Sequence, residues 1–291
     1  MTDFLQLLLS GMATGAIYGL AALGFTLLWQ ASGTINFAQG EFVMLPAFMM
    51  LGFASFGAPM LLSFLLTCAV AVLVLGWAFK RGIADPLLRH GMMPIVVATI
   101  GLAIAMRNGV RAGYSAEAHP FPSLFADKLF NVAGVTVTLA DVGTLALSLL
   151  LVFTTQAFLQ KTVTGRAMQA VAQNTDSATV LGINVPRMIF YTFALNALLA
   201  CAAALLVTPT YLAKFDMGEP LGTKAFFAAI IGGFNNSRGA ILGGLIVGIS
   251  ENLAGAYISS SYKDAFALVV FMLVILFKPQ GLLGKKVERK V

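Results

Sequence analysis

The chain has 291 residues, of which 59% are hydrophobic and only 10% charged, against about 25% charged in an ordinary soluble domain. Its 18 Lys and Arg and 12 Asp and Glu cannot cover a globule of this size, so apolar side chains must face lipid and a water-soluble monomer is excluded. The formal net charge of +6 would suit an anionic partner such as nucleic acid, unless the charges turn out to be segregated.

Runs long enough to cross a hydrocarbon core of about 30 Å recur along the whole chain. The first, 4–29, is glycine-rich and lacks the basic start of a cleaved signal peptide. Run 34–54 follows, and 60–79 contains no charge. Run 92–112 carries Arg107 and Arg111 near one end. Runs 143–159, 188–213 and 240–258 are good spans, the last holding Glu251. Run 265–277 is short, but Tyr262 and a snorkelling Lys278 extend it to the interfaces. Run 225–234 has the length of a broken or re-entrant element.

The excess of Lys and Arg in cytoplasmic loops orients these runs. Lys80, Arg81 and Arg89 form one basic stretch; Lys161, Arg166 and Arg187 form a second; Lys278, Lys285, Lys286, Arg289 and Lys290 form a carboxy-terminal third. With these three inside, 107–141, 211–224 and 259–264 fall outside. Parity then requires 225–234, extended by 221–224, to cross as well. The count is nine with an outer amino terminus if the first three runs all cross. It is eight with an inner one if one of the first two is re-entrant. Pro120, Pro122 and the β-branched 132–138 suit an external loop, 112–141, with a small hairpin. The expected architecture is an all-α polytopic membrane protein, a single domain over 1–291. Cys68 and Cys201 lie inside apolar runs and read as hydrophobic fillers, not a disulfide.

Gly11, Gly15 and Gly19, and later Gly243 and Gly248, are spaced so that one helix face carries only small residues, which lets helices approach closely where lipid supplies no hydrophobic drive. Polar residues within apolar runs are expensive and mark either an interior path or an interhelical hydrogen bond. The candidates are Asn36, Gln39, Glu41, Asn196, Glu251 and Asn252, with Glu41 and Glu251 as the two acids at depth. The tail's Gly281–Lys286 has the wrong spacing for a phosphate-binding loop and no hydroxyl after the lysine. His90 and His119 have no ligand partner at metal spacing. No nucleophile–base pair is apparent, so catalysis is not expected.

Segment 160–187 is cytoplasmic and short-helical in character. Arg166–Gln173 reads as one helix opened by Gly165, Asn174, Thr175 and Asp176 as N-cap candidates, and 177–181 as a second helix ended by Gly182. Ala167, Ala170, Val171 and Ala172 are expected to form an exposed small-residue knob for a soluble partner.

The stretch Gly165-Arg166-Ala167-Met168-Gln169-Ala170-Val171-Ala172-Gln173-Asn174, continuing to Gly182-Ile183-Asn184-Val185, closely resembles the coupling loop of Liv-type permeases from ABC importers of branched-chain amino acids. Gly15-Ala16-Ile17-Tyr18-Gly19-Leu20-Ala21-Ala22-Leu23-Gly24 and Ile35-Asn36-Phe37-Ala38-Gln39-Gly40-Glu41 look like that family's amino-terminal signature. Gly239-Ala240-Ile241-Leu242-Gly243-Gly244 and Phe277-Lys278-Pro279-Gln280-Gly281-Leu282 are similar to its late motifs. The turn Gly233-Phe234-Asn235-Asn236-Ser237-Arg238-Gly239 departs from it. The resemblance implies a permease of the bacterial inner membrane with a cytoplasmic carboxyl terminus. It implies pairing with a second related permease, two ATP-binding cassette ATPases and an external substrate-binding protein. ATP and Mg would bind in the ATPases, and no cofactor in this chain. Gly165, Arg166, Ala170, Val171, Ala172, Asn174 and Gly182 would then couple it to the ATPases, and translocation would proceed by alternating access. An ion- or proton-coupled carrier using Glu41 and Glu251 is the other transport reading, and a membrane scaffold the non-transport one.

Placed on this topology, the inside segments hold 12 Lys and Arg against 3 acids and the outside ones 6 against 7. The net charge is therefore an orientation signal and not a nucleic-acid surface.

Overall fold

A computed structural model describes residues 2–126, 128–132, 135–234 and 236–284. Lys285, Lys286, Arg289 and Lys290 of the basic tail, and Asn235 of the divergent turn, lie outside the described residues. The described chain holds eleven α-helices: α1 (Thr2–Ser32), α2 (Gln39–Ser55), α3 (Met60–Leu88), α4 (Met92–Tyr114), α5 (Leu139–Lys161), α6 (Val163–Gln173), α7 (Thr175–Val180), α8 (Val185–Tyr211), α9 (Gly218–Gly232), α10 (Ser237–Tyr257) and α11 (Lys263–Phe277). The hairpin expected before α5 forms from β1 (Leu129–Val132) and β2 (Val135–Thr138), antiparallel, with Leu129 opposite Thr138 and Val132 opposite Val135.

Among the described residues seven helices are long and apolar enough to cross a membrane, α11 together with the 3₁₀ turn Ser260–Tyr262 that leads into it. The other two apolar ones fall short: α2 has 17 residues and α9 has 15, or about 26 and 22 Å at 1.5 Å per residue. The apolar run from residue 34 becomes helical only at Gln39, because Gly33, with a positive φ of 65°, turns the chain out of α1. Charge-free 60–79 underestimates α3, which continues to Leu88 through π-helical turns at Val72–Ala78 and Lys80–Ala84. There Lys80 donates to both oxygens of Asp85, at 2.7 and 2.9 Å. Pairing cancels the charge that suggested an earlier end.

Exposure separates inner from outer helices. The most apolar windows of α1 and α8 are 67% buried, that of α11 only 6%. Leu61, Leu73, Val97, Phe153, Leu276 and Phe277 are all exposed, as expected where lipid is the solvent.

The chain forms two compact units: Met1–Thr26 with Ser123–Val152 and Lys224–Val291, and Leu27–Pro122 with Phe153–Thr223. In the first, α1 crosses α10 at near backbone contact. A Cβ added at Gly15 would lie 2.7 Å from the Gly244 carbonyl oxygen, one at Gly11 would lie 2.9 Å from Ile249 Cα, and one at Gly19 would lie 3.1 Å from Ile241 Cα. Gly248 backs onto Gly15, whereas Gly243 faces Ala228 of α9. The rings of Phe25, Phe226, Phe234 and Phe271 fill the space beside this crossing. In the second unit, α2 and α8 supply the interior, with the Phe79 ring between Phe42 and Phe193 at centroid distances of 5.0 and 5.8 Å. Cys68 of α3 and Cys201 of α8 are free thiols.

The segment after α5 folds as two short helices. Thr162 Oγ1 accepts from Gly165 N at 2.9 Å, so α6 begins at Val163, ahead of Gly165. Asn174 Oδ1 accepts from Ser177 N at 2.8 Å and caps α7. Gly182, with φ of 77°, ends it: Gly182 N donates to Thr179 O and Ile183 N to Ala178 O, the paired bonds of a Schellman stop.

Candidate functional site

The break between α1 and α2 gathers four of the six polar candidates within the second unit. Three rungs tie it to α4. Phe37 N donates to Thr99 Oγ1 at 3.2 Å, Arg107 Nη2 to Glu41 Oε1 at 2.8 Å, and Tyr114 OH to the Phe48 carbonyl at 3.0 Å. The partners ascend both helices together, so α2 runs alongside α4 in the same direction. Gln39, Gly40 and Glu41 are all buried, which places the open N–H groups of the first turn of α2 inside the protein.

Each polar group there has a defined state. Gln39 Nε2 donates to Asn196 Oδ1 at 2.8 Å, and Asn196 Nδ2 returns a bond to Gln39 Oε1 at 3.1 Å. The Glu41 side chain, 3% exposed, is neutralised by Arg107, which also reaches the exposed Glu219 at 2.6 Å. Asn36 Oδ1 accepts from Ala38 N at 3.0 Å, while its buried Nδ2 has no hydrogen-bond partner. Asn36 lines a cavity of about 10 Å³ together with the polar Ser32, Thr34 and Thr99 and with apolar side chains that include Phe79 and Phe193. The start of α9 lies directly on this break: a Cβ at Gly218 would fall 2.9 Å from Glu41 N, and one at Gly222 would fall 2.9 Å from Gly40 Cα. Bulkier residues at these positions would push α2 and α9 apart.

Glu251 and Asn252 belong to the first unit and are not part of this cluster. Glu251 Oε2 accepts from Tyr18 OH at 2.9 Å, and Oε1 from Lys224 Nζ at 2.6 Å. Lys224 also pairs with Asp264 at 2.9 Å, and Lys263 stands 3.6 Å from Glu251. Asn252 packs beside Gly11. Lys224, read both as the end of the outer stretch 211–224 and as part of the extension 221–224 of the crossing run, lies within α9 and is buried, with Glu251 of α10 as its counter-charge. Lys224 and Tyr18 were not among the sequence candidates. The sequence signal was a lone lysine abutting the apolar run 225–234, and its partner 27 positions away is visible only in the fold. Among the described residues no three His, Cys, Asp or Glu side chains gather as they would to hold a metal.

The docking segment also differs from expectation. Gly165 is buried against Phe158 and Leu159, Arg166 and Asn174 are exposed, and Ala167, Ala170 and Ala172 are half-buried. Val171 is buried with Met168, so the expected four-residue knob does not form. The reason is helical period: 168 and 171 fall on one face of α6 and turn inward. The apolar side chains left in the open are Val163 before that face and Val180 and Leu181 at the end of α7, exposed by 77, 87 and 77%.

A family model described as the permease component of the branched-chain amino acid transport system matches residues 7–275. The high-affinity branched-chain amino acid transport system permease protein LivH of Salmonella typhimurium is 32% identical, over 99% of this chain and 98% of its own. The corresponding protein BraD of Pseudomonas aeruginosa is 31% identical over the same shares. The ribose import permease protein RbsC of Haemophilus influenzae is 22% identical over 93% of this chain and 84% of its own. No solved structure matches. With seven membrane-length helices and a family model covering nearly its whole length, the chain is a multi-pass membrane protein that belongs to the branched-chain amino acid transport system permease family.

Proposed function

We propose that this chain is the permease subunit of an ATP-driven importer for branched-chain or related small neutral amino acids in a bacterial inner membrane. The observation that carries the reading is the near full-length likeness to LivH and BraD. Its partners are a second related permease, two cytoplasmic ATPases that bind ATP and Mg, and an external binding protein. The family model runs through both compact units, in keeping with one permease domain. With the basic ends of α3 and α5 in the cytoplasm, α2, parallel to α4, runs outward. Counting α2 and α9 as crossings makes nine, an outer amino terminus and a cytoplasmic carboxyl terminus. Glu41 and Glu251 are each already paired with a cationic side chain, at 2.8 and 2.6 Å, so neither is a free carboxylate for a coupling cation, which favours the importer over an ion-coupled carrier.

Coupling to the ATPases runs through α6 and α7, with Arg166, Asn174 and Gly182 at the exposed surface and Gly165, Ala170, Val171 and Ala172 seating α6 on the bundle. Val180 and Leu181 are the anchors, because exposed aliphatic side chains on a water-facing segment gain free energy by entering a partner's pocket. Leu181→Asp in the assembled transporter is expected to cut receptor-stimulated ATP hydrolysis and leucine uptake by about tenfold or more, while membrane level stays unchanged. Wild-type uptake in that variant would remove the coupling role. Proton-driven leucine uptake by the purified chain alone would remove the importer reading.

A further inference from the structure

We propose that the break between α1 and α2 contains a subsite for the carboxylate of a zwitterionic cargo, with Asn36 Nδ2 as its donor; this rests on the importer reading above. Asn36 is only 6% exposed, and its Oδ1 is held by Ala38 N at 3.0 Å, which fixes the amide so that Nδ2 is the free end. That buried Nδ2 donates to no protein group, a costly state for an amide unless something else accepts from it. The cavity that Asn36 lines, about 10 Å³, admits one water-sized group, which is the size of a single carboxylate oxygen entering first.

The polarity of the wall selects an acceptor over a cation. The Ser32 hydroxyl donates to Leu28 O at 2.7 Å and accepts from Thr34 N at 3.4 Å, and the Thr99 hydroxyl donates to Val96 O at 2.9 Å and accepts from Phe37 N at 3.2 Å, so the buried group left without a partner at this cavity is the donor Asn36 Nδ2. No acid lines the cavity, and the acid of the adjoining helical turn, Glu41, is already neutralised by Arg107. The break also precedes the N-terminal turn of α2, whose dipole favours negative charge and whose first N–H groups are buried with it. Phe79 and Phe193 also line the cavity, giving an aliphatic cargo side chain apolar neighbours. One polar point against an apolar wall is the minimum recognition a small neutral amino acid needs once a receptor has delivered it.

The test uses the complete transporter, copurified with its second permease, ATPases and receptor and placed in vesicles. Two variants keep an oxygen acceptor for Ala38 N–H: Asn36→Ser, which lacks the amide donor, and Asn36→Asp, which places a carboxylate against a carboxylate. The quantity read is leucine moved per ATP hydrolysed. The expected result is a fall in that ratio of about tenfold in Asn36→Ser and a larger one in Asn36→Asp, with both variants copurifying with their partners. An unchanged ratio in Asn36→Asp overturns the subsite and leaves the cavity as a water site. Failure of both variants to assemble with their partners assigns Asn36 to folding and overturns it equally. A wild-type complex that moves no leucine instead overturns the importer reading itself.

Discussion

Lys224→Met is expected to destabilise the protein by about 3 kcal/mol or more, read as a lowered thermal midpoint of the purified protein in detergent. The side chains of Lys224 and Glu251 are 8 and 4% exposed and meet at 2.6 Å. Removing the cation strands a carboxylate in a place where hydration cannot recover its lost partner. Lys263, 3.6 Å from the same oxygen and half exposed, can move closer and keeps the loss near the lower end of the range. The compensating variant Lys224→Met/Glu251→Gln is expected to recover more than half of the loss. Glutamine carries no charge and still accepts from Tyr18 OH, which reaches Glu251 at 2.9 Å in the native protein. Equal stability of Lys224→Met and wild type would show that the pair does not hold α9 against α10.

The second large effect is expected at Arg107, and its signature is an order, not a single value. Arg107→Met leaves Glu41, with a 3% exposed side chain, as an unpaired buried charge, at about 3–5 kcal/mol. Glu41→Gln removes the charge that needs pairing and leaves Arg107, a quarter exposed, with Glu219 at 2.6 Å, so its cost is about 1–3 kcal/mol. Glu219→Gln alters a pair in which the acid is 64% exposed and should cost at most about 1 kcal/mol. Chemical denaturation of the three variants checks the ranking. Glu219→Gln proving the most damaging would mean that the break at the start of α2 is held from its exposed side.

The broad architecture was legible because lipid demands long apolar runs: 60–79 and 92–112 fall within α3 and α4, and 188–213 and 240–258 overrun the ends of α8 and α10 by only two residues and one. Capping chemistry was equally readable: the amide of Asn174 and the missing Cβ of Gly182 impose their ends on α7 whatever surrounds them. Glycine spacing identified the close face of α1, yet not its partners, since Gly243 and Gly248 lie on one helix and face different neighbours. Long-range pairing escaped the sequence. Nothing local distinguishes Arg107 or Lys224 from loop cations, because a buried charge is tolerated only through an acid brought up by the fold. Val171 was misjudged for a related reason: a short apolar helix can present either face, and its packing against α8 decides which.

The reciprocal amide bonds between Gln39 and Asn196 have a consequence for how the second unit can come apart. Separating α2 from α8 there leaves two neutral carboxamides, each 1% exposed, to find new partners, at about 1–3 kcal/mol each. Parting α2 from α4 at Glu41 and Arg107 would instead leave a naked carboxylate where water is scarce. Of the polar ties that hold α2 in this unit, the uncharged one to α8 therefore costs less to break than the charged one to α4.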